Sequence, residues 1–192
     1  MLSHRVLNVP NVLTSARLVL AVVVFALIPW HVYWPAFVIF VVAAATDWVD
    51  GYWARRYGQV TQVGRIYDPF VDKIIVCGAF IFLAAEANSG IKAWMATVVV
   101  AREMLVTGLR SYIEQHGGDF SATMSGKLKM VFQCIAVGAS LVALNYEPAV
   151  CPAWIALALV TSVWLAVLST VYSGVVYVFA AVKLIGRDQP AG

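Results

Sequence analysis

The chain has 192 residues, of which 62% are hydrophobic and only 12% charged, with a mean hydropathy of +0.84. Soluble domains carry about 25% charged residues, so the composition excludes an ordinary soluble enzyme and predicts an all-α integral membrane protein. The net charge of +3 is spread between apolar runs, which leaves no basic face for a nucleic acid; no nucleic-acid partner is expected. Cys77, Cys134 and Cys151 lack CxxC spacing and read as packing residues, not as a disulfide or metal site.

A helix crosses the hydrocarbon with about 20 apolar residues, and six such spans are predicted in chain order. They cover about 12–29, 34–54, 68–86, 91–113, 124–145 and 152–184, within the usual boundary error of about 2–4 residues. Residues 1–11 read as an interfacial segment leading into the first span, because no small-residue cleavage site follows. The spans leave no room for a second domain, so residues 1–192 are expected to form one membrane domain. If both termini lie on one side, that side receives Arg5, Arg17, Arg55, Arg56, Arg65, Lys73, Arg102, Arg110, Lys127, Lys129, Lys183 and Arg187. These are 12 of the 13 lysines and arginines; Lys92 alone falls opposite. Such asymmetry predicts cytoplasmic termini. Trp30, Trp34, Trp94 and Trp154 fall near the outer ends, as an interfacial aromatic belt would.

The stretch DWVDGYWARRYGQVTQVGRIYDPFVD, residues 47–72, holds four of the 10 acidic residues. Asp47 and Asp50 are spaced i, i+3 at the end of the second span; Asp68 and Asp72 are spaced i, i+4 at the start of the third. Each pair shares a helix face, and the short connection predicts that the two helices are neighbours with facing carboxylates. Four carboxylates at one point repel and resist desolvation. Divalent cations relieve both effects, and Mg²⁺ typically joins a few carboxylates to a substrate phosphate. The competing reading is structural: Asp68 capping the third helix with Pro69 at its first position, or aspartates paired with Arg55, Arg56 or Arg65. Gly51, Ala54 and Gly64 remove bulk beside the acidic pairs, either for helix packing or for close approach of a ligand.

The spacing Asp47, Asp50, Gly51, Ala54, Arg55, Gly64, Asp68, Asp72 resembles the signature D-x2-D-G-x2-A-R-x8-G-x3-D-x3-D of the CDP-alcohol phosphotransferase family, and the six-span layout extends the resemblance over nearly the whole chain. The resemblance implies cleavage of a CDP-linked lipid at its diphosphate, with release of CMP and transfer of the phosphatidyl group to an alcohol. It implies two ions, Mg²⁺ or Mn²⁺, one held by Asp47, Asp50 and Asp68 and the other by Asp47, Asp68 and Asp72. Asp72 is implied as the base toward the acceptor hydroxyl, and Gly51, Arg55 and Thr61 as contacts to the CDP moiety. Ala54 and Gly64 join that groove. Asn11 and Thr14, with Arg17, lie in a segment that the resemblance puts near the nucleotide-lipid pocket, although Asn11 could also cap the first helix.

The segments NVPNVLTSAR, AREMLVTGLR and GKLKM resemble members whose acceptor is glycerol 3-phosphate. Its phosphate calls for cations, and Arg102, Arg110, Lys127 and Lys129 are the candidates. Arg102 lies inside an apolar run, where a charge marks function by default. The structural alternative for Arg102 is a buried pair with Glu103 or an aspartate, although Glu103 is not its obvious partner because adjacent helix residues diverge. Arg102 and Arg110, eight apart, fall close to one face. Lys73 reads as snorkelling or balancing the acidic cluster.

The expected substrates are therefore CDP-diacylglycerol and glycerol 3-phosphate, the expected location a bacterial inner membrane with the site facing the cytoplasm, and the expected assembly, carried over from the family, a homodimer. A sister enzyme using inositol phosphate, serine or phosphatidylglycerol is the nearest rival. A divalent-cation transporter is a remote one, because transport sites tend to lie at the bilayer midplane on broken helices.

Overall fold

The computed structural model describes residues 9–57, 62–115 and 124–185, with side chains described for 12–46, 70–113 and 128–183. Six helices and no strand occur among the described residues: α1 Val9–Leu27, α2 Tyr33–Tyr57, α3 Gln62–Ala85, α4 Ala93–Gln115, α5 Met124–Ala143 and α6 Ala153–Ile185. Pro10 sits in the first turn of α1, where a missing N–H costs nothing. Pro35 opens α2 and Pro152 precedes α6 in the same way. Asn11 lies inside α1, so the cap reading of that residue is set aside. Asp68 and Pro69 lie inside α3, which begins six residues earlier at Gln62. Asp68 is therefore not the cap of that helix.

The helices close into a ring in the order α1, α2, α5, α6, α4, α3, with α3 also touching α5 across the interior. Sequence-adjacent helices alternate in direction. At one end, Tyr33 Oη at the start of α2 donates to Glu86 Oε2 after α3 at 2.9 Å, and Ser140 Oγ late in α5 donates to the Ser89 carbonyl at 2.8 Å. Gly90 adopts φ +73° there, and a Cβ would meet Leu159 of α6 at 2.9 Å. A side chain at Gly90 would meet both backbone strain and a clash. Among the described residues α1 packs against both α2 and α3; the expected facing of the α2 and α3 carboxylates falls on 47–69, whose side chains lie outside the described residues.

The bundle is apolar outside and partly polar inside. Exposed positions include Val19, Val22, Val38, Val42, Leu128, Val131, Leu157, Leu168, Phe179 and Val182, while Arg17, Glu103, Lys129, Gln133, Ser140, Thr170 and Ser173 are buried. On α1 the buried stripe is Thr14, Arg17, Ala21, Val24 and Ile28, at alternating spacings of three and four as a helix face requires. Trp30, Trp34, Trp94 and Trp154 are all exposed. One helix segment, Ala153–Lys183, is long and apolar enough by itself to cross a membrane; Val12–Leu27, Tyr33–Thr46 and Leu128–Ala143 are shorter apolar stretches.

Candidate active site

Helical periodicity sends consecutive residues of α3 to different neighbours, since successive side chains are rotated by about 100°. Asp72 faces α1, where Arg17 Nη1 donates to its Oδ1 at 2.7 Å. Arg17 is 2% exposed and Asp72 22%, so the arginine is sealed in while the carboxylate keeps an open side. Lys73 faces α4, where its Nζ donates to Thr107 Oγ1 at 2.5 Å. Lys73 thus turns to a hydroxyl on the next helix and is not paired with the neighbouring aspartate.

Behind Lys73 lies a cluster of charge. Thr107 Oγ1 donates to the Glu103 carbonyl at 2.6 Å, one turn back along α4. Glu103 is buried, and its Oε1 accepts from Lys129 Nζ of α5 and from Arg102 Nη1 at 3.3 Å. The expectation that Arg102 would not meet Glu103 is corrected. Their backbone positions diverge, but both side chains are long enough to bend to one point. The Arg102 guanidinium also lies over the Tyr177 ring of α6, 5.3 Å from its centroid, and its stem packs at Gly174. Arg102 Nε and Nη2 are buried and make no hydrogen bond. Lys73 lies within electrostatic reach of Glu103, Arg110 and Arg102, and Lys129 within reach of Glu103 and Arg102. Among the described residues the structure therefore gathers Arg102 and Lys129 on the Glu103 carboxylate with Lys73 within its reach, and Arg110 lies within electrostatic reach of Lys73.

Thr14 is buried one turn before Arg17 on the same α1 face. The backbones of Asn11, Asp47, Asp50, Gly51, Ala54, Arg55, Gly64, Asp68 and Lys127 are helical, but their side chains lie outside the described residues, as does Thr61 altogether. Among the described residues no group of three or more His, Cys, Asp or Glu stands together; of the four aspartates, only the Asp72 side chain is described. What the structure does show fits a hard divalent ion. Asp68 and Asp72 lie one turn apart on one unbroken helix, and Asp72 remains partly open. Sequence reasoning missed the Arg17–Asp72 pair and the Glu103 hub. The available signal was the same for both: a charge inside an apolar helix.

A profile of the CDP-alcohol phosphatidyltransferase family matches residues 7–182. The chain is 37% identical, over 87% of its length and 91% of the relative's, to a Bacillus subtilis protein named CDP-diacylglycerol--glycerol-3-phosphate 3-phosphatidyltransferase. Proteins of the same name from Escherichia coli K12 (33%, over 91% of this chain and 94% of the other) and Blochmanniella floridana (30%, over 95% of each) are similar along nearly their whole length. With the aspartate motif in its two helices and a family match that spans α1 to α6, the chain belongs to the CDP-alcohol phosphatidyltransferase family and is an enzyme of that class.

Proposed function

We propose that this chain transfers the phosphatidyl group of CDP-diacylglycerol to glycerol 3-phosphate, giving phosphatidylglycerophosphate and CMP. The observation that carries the acceptor is the cluster of Lys73, Arg102, Arg110 and Lys129, which begins one residue from Asp72. A cluster in which cations outnumber the described carboxylate favours a ligand bearing a phosphate dianion. The names of the relatives supply the same pair of substrates. The whole of 1–192 acts as one domain.

Asp47, Asp50, Asp68 and Asp72 would hold two divalent ions, Mg²⁺ or Mn²⁺. When bound, such ions polarise the phosphoryl oxygens and offset charge at both the attacking and the leaving oxygen. The protein supplies the remaining parts. Gly51, Ala54 and Gly64 leave room along the α2 and α3 ends for the CDP moiety, with Arg55 and Thr61 as contacts and Asn11 and Thr14 on the adjoining α1. Asp72 takes the proton of the acceptor hydroxyl. Arg17 holds its Oδ1 on the α1 side, which fixes the orientation in which the carboxylate would meet the acceptor. Arg102, Arg110, Lys127 and Lys129 surround the acceptor phosphate. Transfer is a single displacement: the acceptor oxygen bonds to the lipid phosphorus as the bond to CMP breaks.

The six helices span a bacterial inner membrane with both termini and the site on the cytoplasmic side, and two chains form a homodimer. The inverted pattern of the bundle supports the membrane setting, because an apolar exterior over a polar interior is costly in water. The lysine and arginine asymmetry supports the orientation.

The test is CMP release by purified protein in detergent with CDP-diacylglycerol and Mn²⁺. The acceptor panel is glycerol 3-phosphate, inositol 3-phosphate, serine, phosphatidylglycerol and none. Release dependent on glycerol 3-phosphate is expected. Release with another acceptor would keep the chemistry and overturn the assignment of the cation cluster.

A further inference from the structure

Glu103 has no part in the scheme above, yet the cation cluster is organised around it. Its side chain holds Lys129 of α5 and Arg102. Its backbone carbonyl holds Thr107, whose hydroxyl receives Lys73 of α3. One residue therefore sets the positions of cations from three helices. The ion pair to Lys129 also bridges a gap, because no packing between α4 and α5 is found among the described residues. Without this bridge, the long Lys129 side chain would have no carboxylate to hold it at that depth.

Neutralising a buried lysine does not account for this arrangement. A carboxylate needed only for Lys129 would pair with one cation. Here Lys129 and Arg102 both meet that carboxylate and Lys73 lies within its reach, three cations to one carboxylate among the described residues. Arg102 in addition keeps two buried N–H groups without an acceptor. Buried donors are normally satisfied, so an unmet pair beside surplus charge is the mark of a site completed by an anion from outside.

We infer that Glu103 is a positioning residue for the phosphate of the acceptor: it does not touch the substrate but holds Lys129 and Arg102, and through Thr107 Lys73, in the arrangement that binds the dianion. The inference rests on the proposed reading of the cluster as the acceptor site and adds the residue that builds it. It predicts an effect confined to one substrate. Glu103→Gln keeps size and one acceptor oxygen but removes the charge that orders the cations. Its KM for glycerol 3-phosphate should rise about 10- to 100-fold, by analogy with the loss of an outer partner that orients a metal ligand. The KM for CDP-diacylglycerol and the turnover at saturating acceptor should stay within about threefold. Glu103→Asp, which retains the charge at shorter reach, should recover part of the loss.

The experiment measures both KM values and kcat for wild type, Glu103→Gln, Glu103→Asp and Arg110→Ala by CMP release in detergent. If Glu103→Gln does not fold, Thr107→Val supplies the test, since it removes the hydroxyl that joins the Glu103 carbonyl to Lys73 and leaves the buried charges in place; that variant should be folded and raise the acceptor KM while the lipid KM stays within about threefold. A rise in acceptor KM at Arg110→Ala but not at Glu103→Gln would overturn the inference while leaving the acceptor site in place. No rise in either would put the acceptor site elsewhere, and the inference would fall with it. An equal rise in both KM values at Glu103→Gln would mark Glu103 as a general packing residue and also refute it.

Discussion

Replacing Arg17 by alanine separates the two roles of the Arg17–Asp72 pair. At 2.7 Å and an effective dielectric of about 20, the attraction between the charges is roughly 6 kcal/mol. Much of this is offset by taking the guanidinium, 2% exposed, out of water. A charge-assisted hydrogen bond with one partly open partner then leaves about 1.5–3 kcal/mol net. At about 2–4 °C per kcal/mol for a chain of this size, Arg17→Ala should lower the midpoint of thermal unfolding in detergent by several degrees. It should also slow CMP release, because Asp72 loses the contact that fixes its orientation. Arg17 makes other contacts, so the single variant overstates the pair. The cycle of Arg17→Ala, Asp72→Asn and the double variant isolates it, with an expected coupling of about 1.5 kcal/mol or more. Additivity within about 0.5 kcal/mol would refute the claim that this ion pair links α1 to α3.

Three further outcomes follow from the same geometry. Asp72→Asn should abolish CMP release while folded protein still binds CDP-diacylglycerol; turnover near wild type would remove Asp72 as the base. Arg110→Ala should raise the glycerol 3-phosphate KM at least tenfold and leave the lipid KM nearly unchanged, and an equal change in both would reject its place in the acceptor cluster. Gly90→Ala should cost about 1–3 kcal/mol, combining strain at φ +73° with contact to Leu159 at 2.9 Å; an unchanged unfolding midpoint would show that the turn after α3 relaxes freely.

The helices themselves were legible because apolar runs end where the sequence changes character. The sixth span, read as 152–184, is the helix Ala153–Ile185, and the fifth, read as 124–145, is Met124–Ala143. The third differed more, since Asp68-Pro69 looks like a helix start. Proline is tolerated further along when neighbours accommodate the freed carbonyl, and α3 begins at Gln62. The ring order was not legible. Hydrophobic period says which face of α1 is buried but not that α2 and α3 lie on either side of it. The same gap hid the polar contacts. Asp72 and Arg17 are 55 residues apart, and Glu103 and Lys129 26 apart, with nothing in local spacing to couple them. Lys73 shows the limit in miniature. Its place beside Asp72 in sequence implied a role beside Asp72 in space, yet one step along a helix points it to Thr107 on another neighbour.

The ring order also bears on how the chain is assembled during synthesis. Each consecutive pair, α1 with α2, α3 with α4 and α5 with α6, packs together, so three hairpins can form as they emerge. The two long-range ion pairs do not lie within hairpins. Arg17–Asp72 joins the first to the second, and Glu103–Lys129 joins the second to the third. Arg17 is thus made a full hairpin before Asp72, and Glu103 is made before Lys129 exists. A nascent chain that stops after α4 holds Glu103 without the lysine that bridges it to α5. The last hairpin is therefore not an outer layer added to a finished core: its arrival ties Glu103 to α5 and closes the ring.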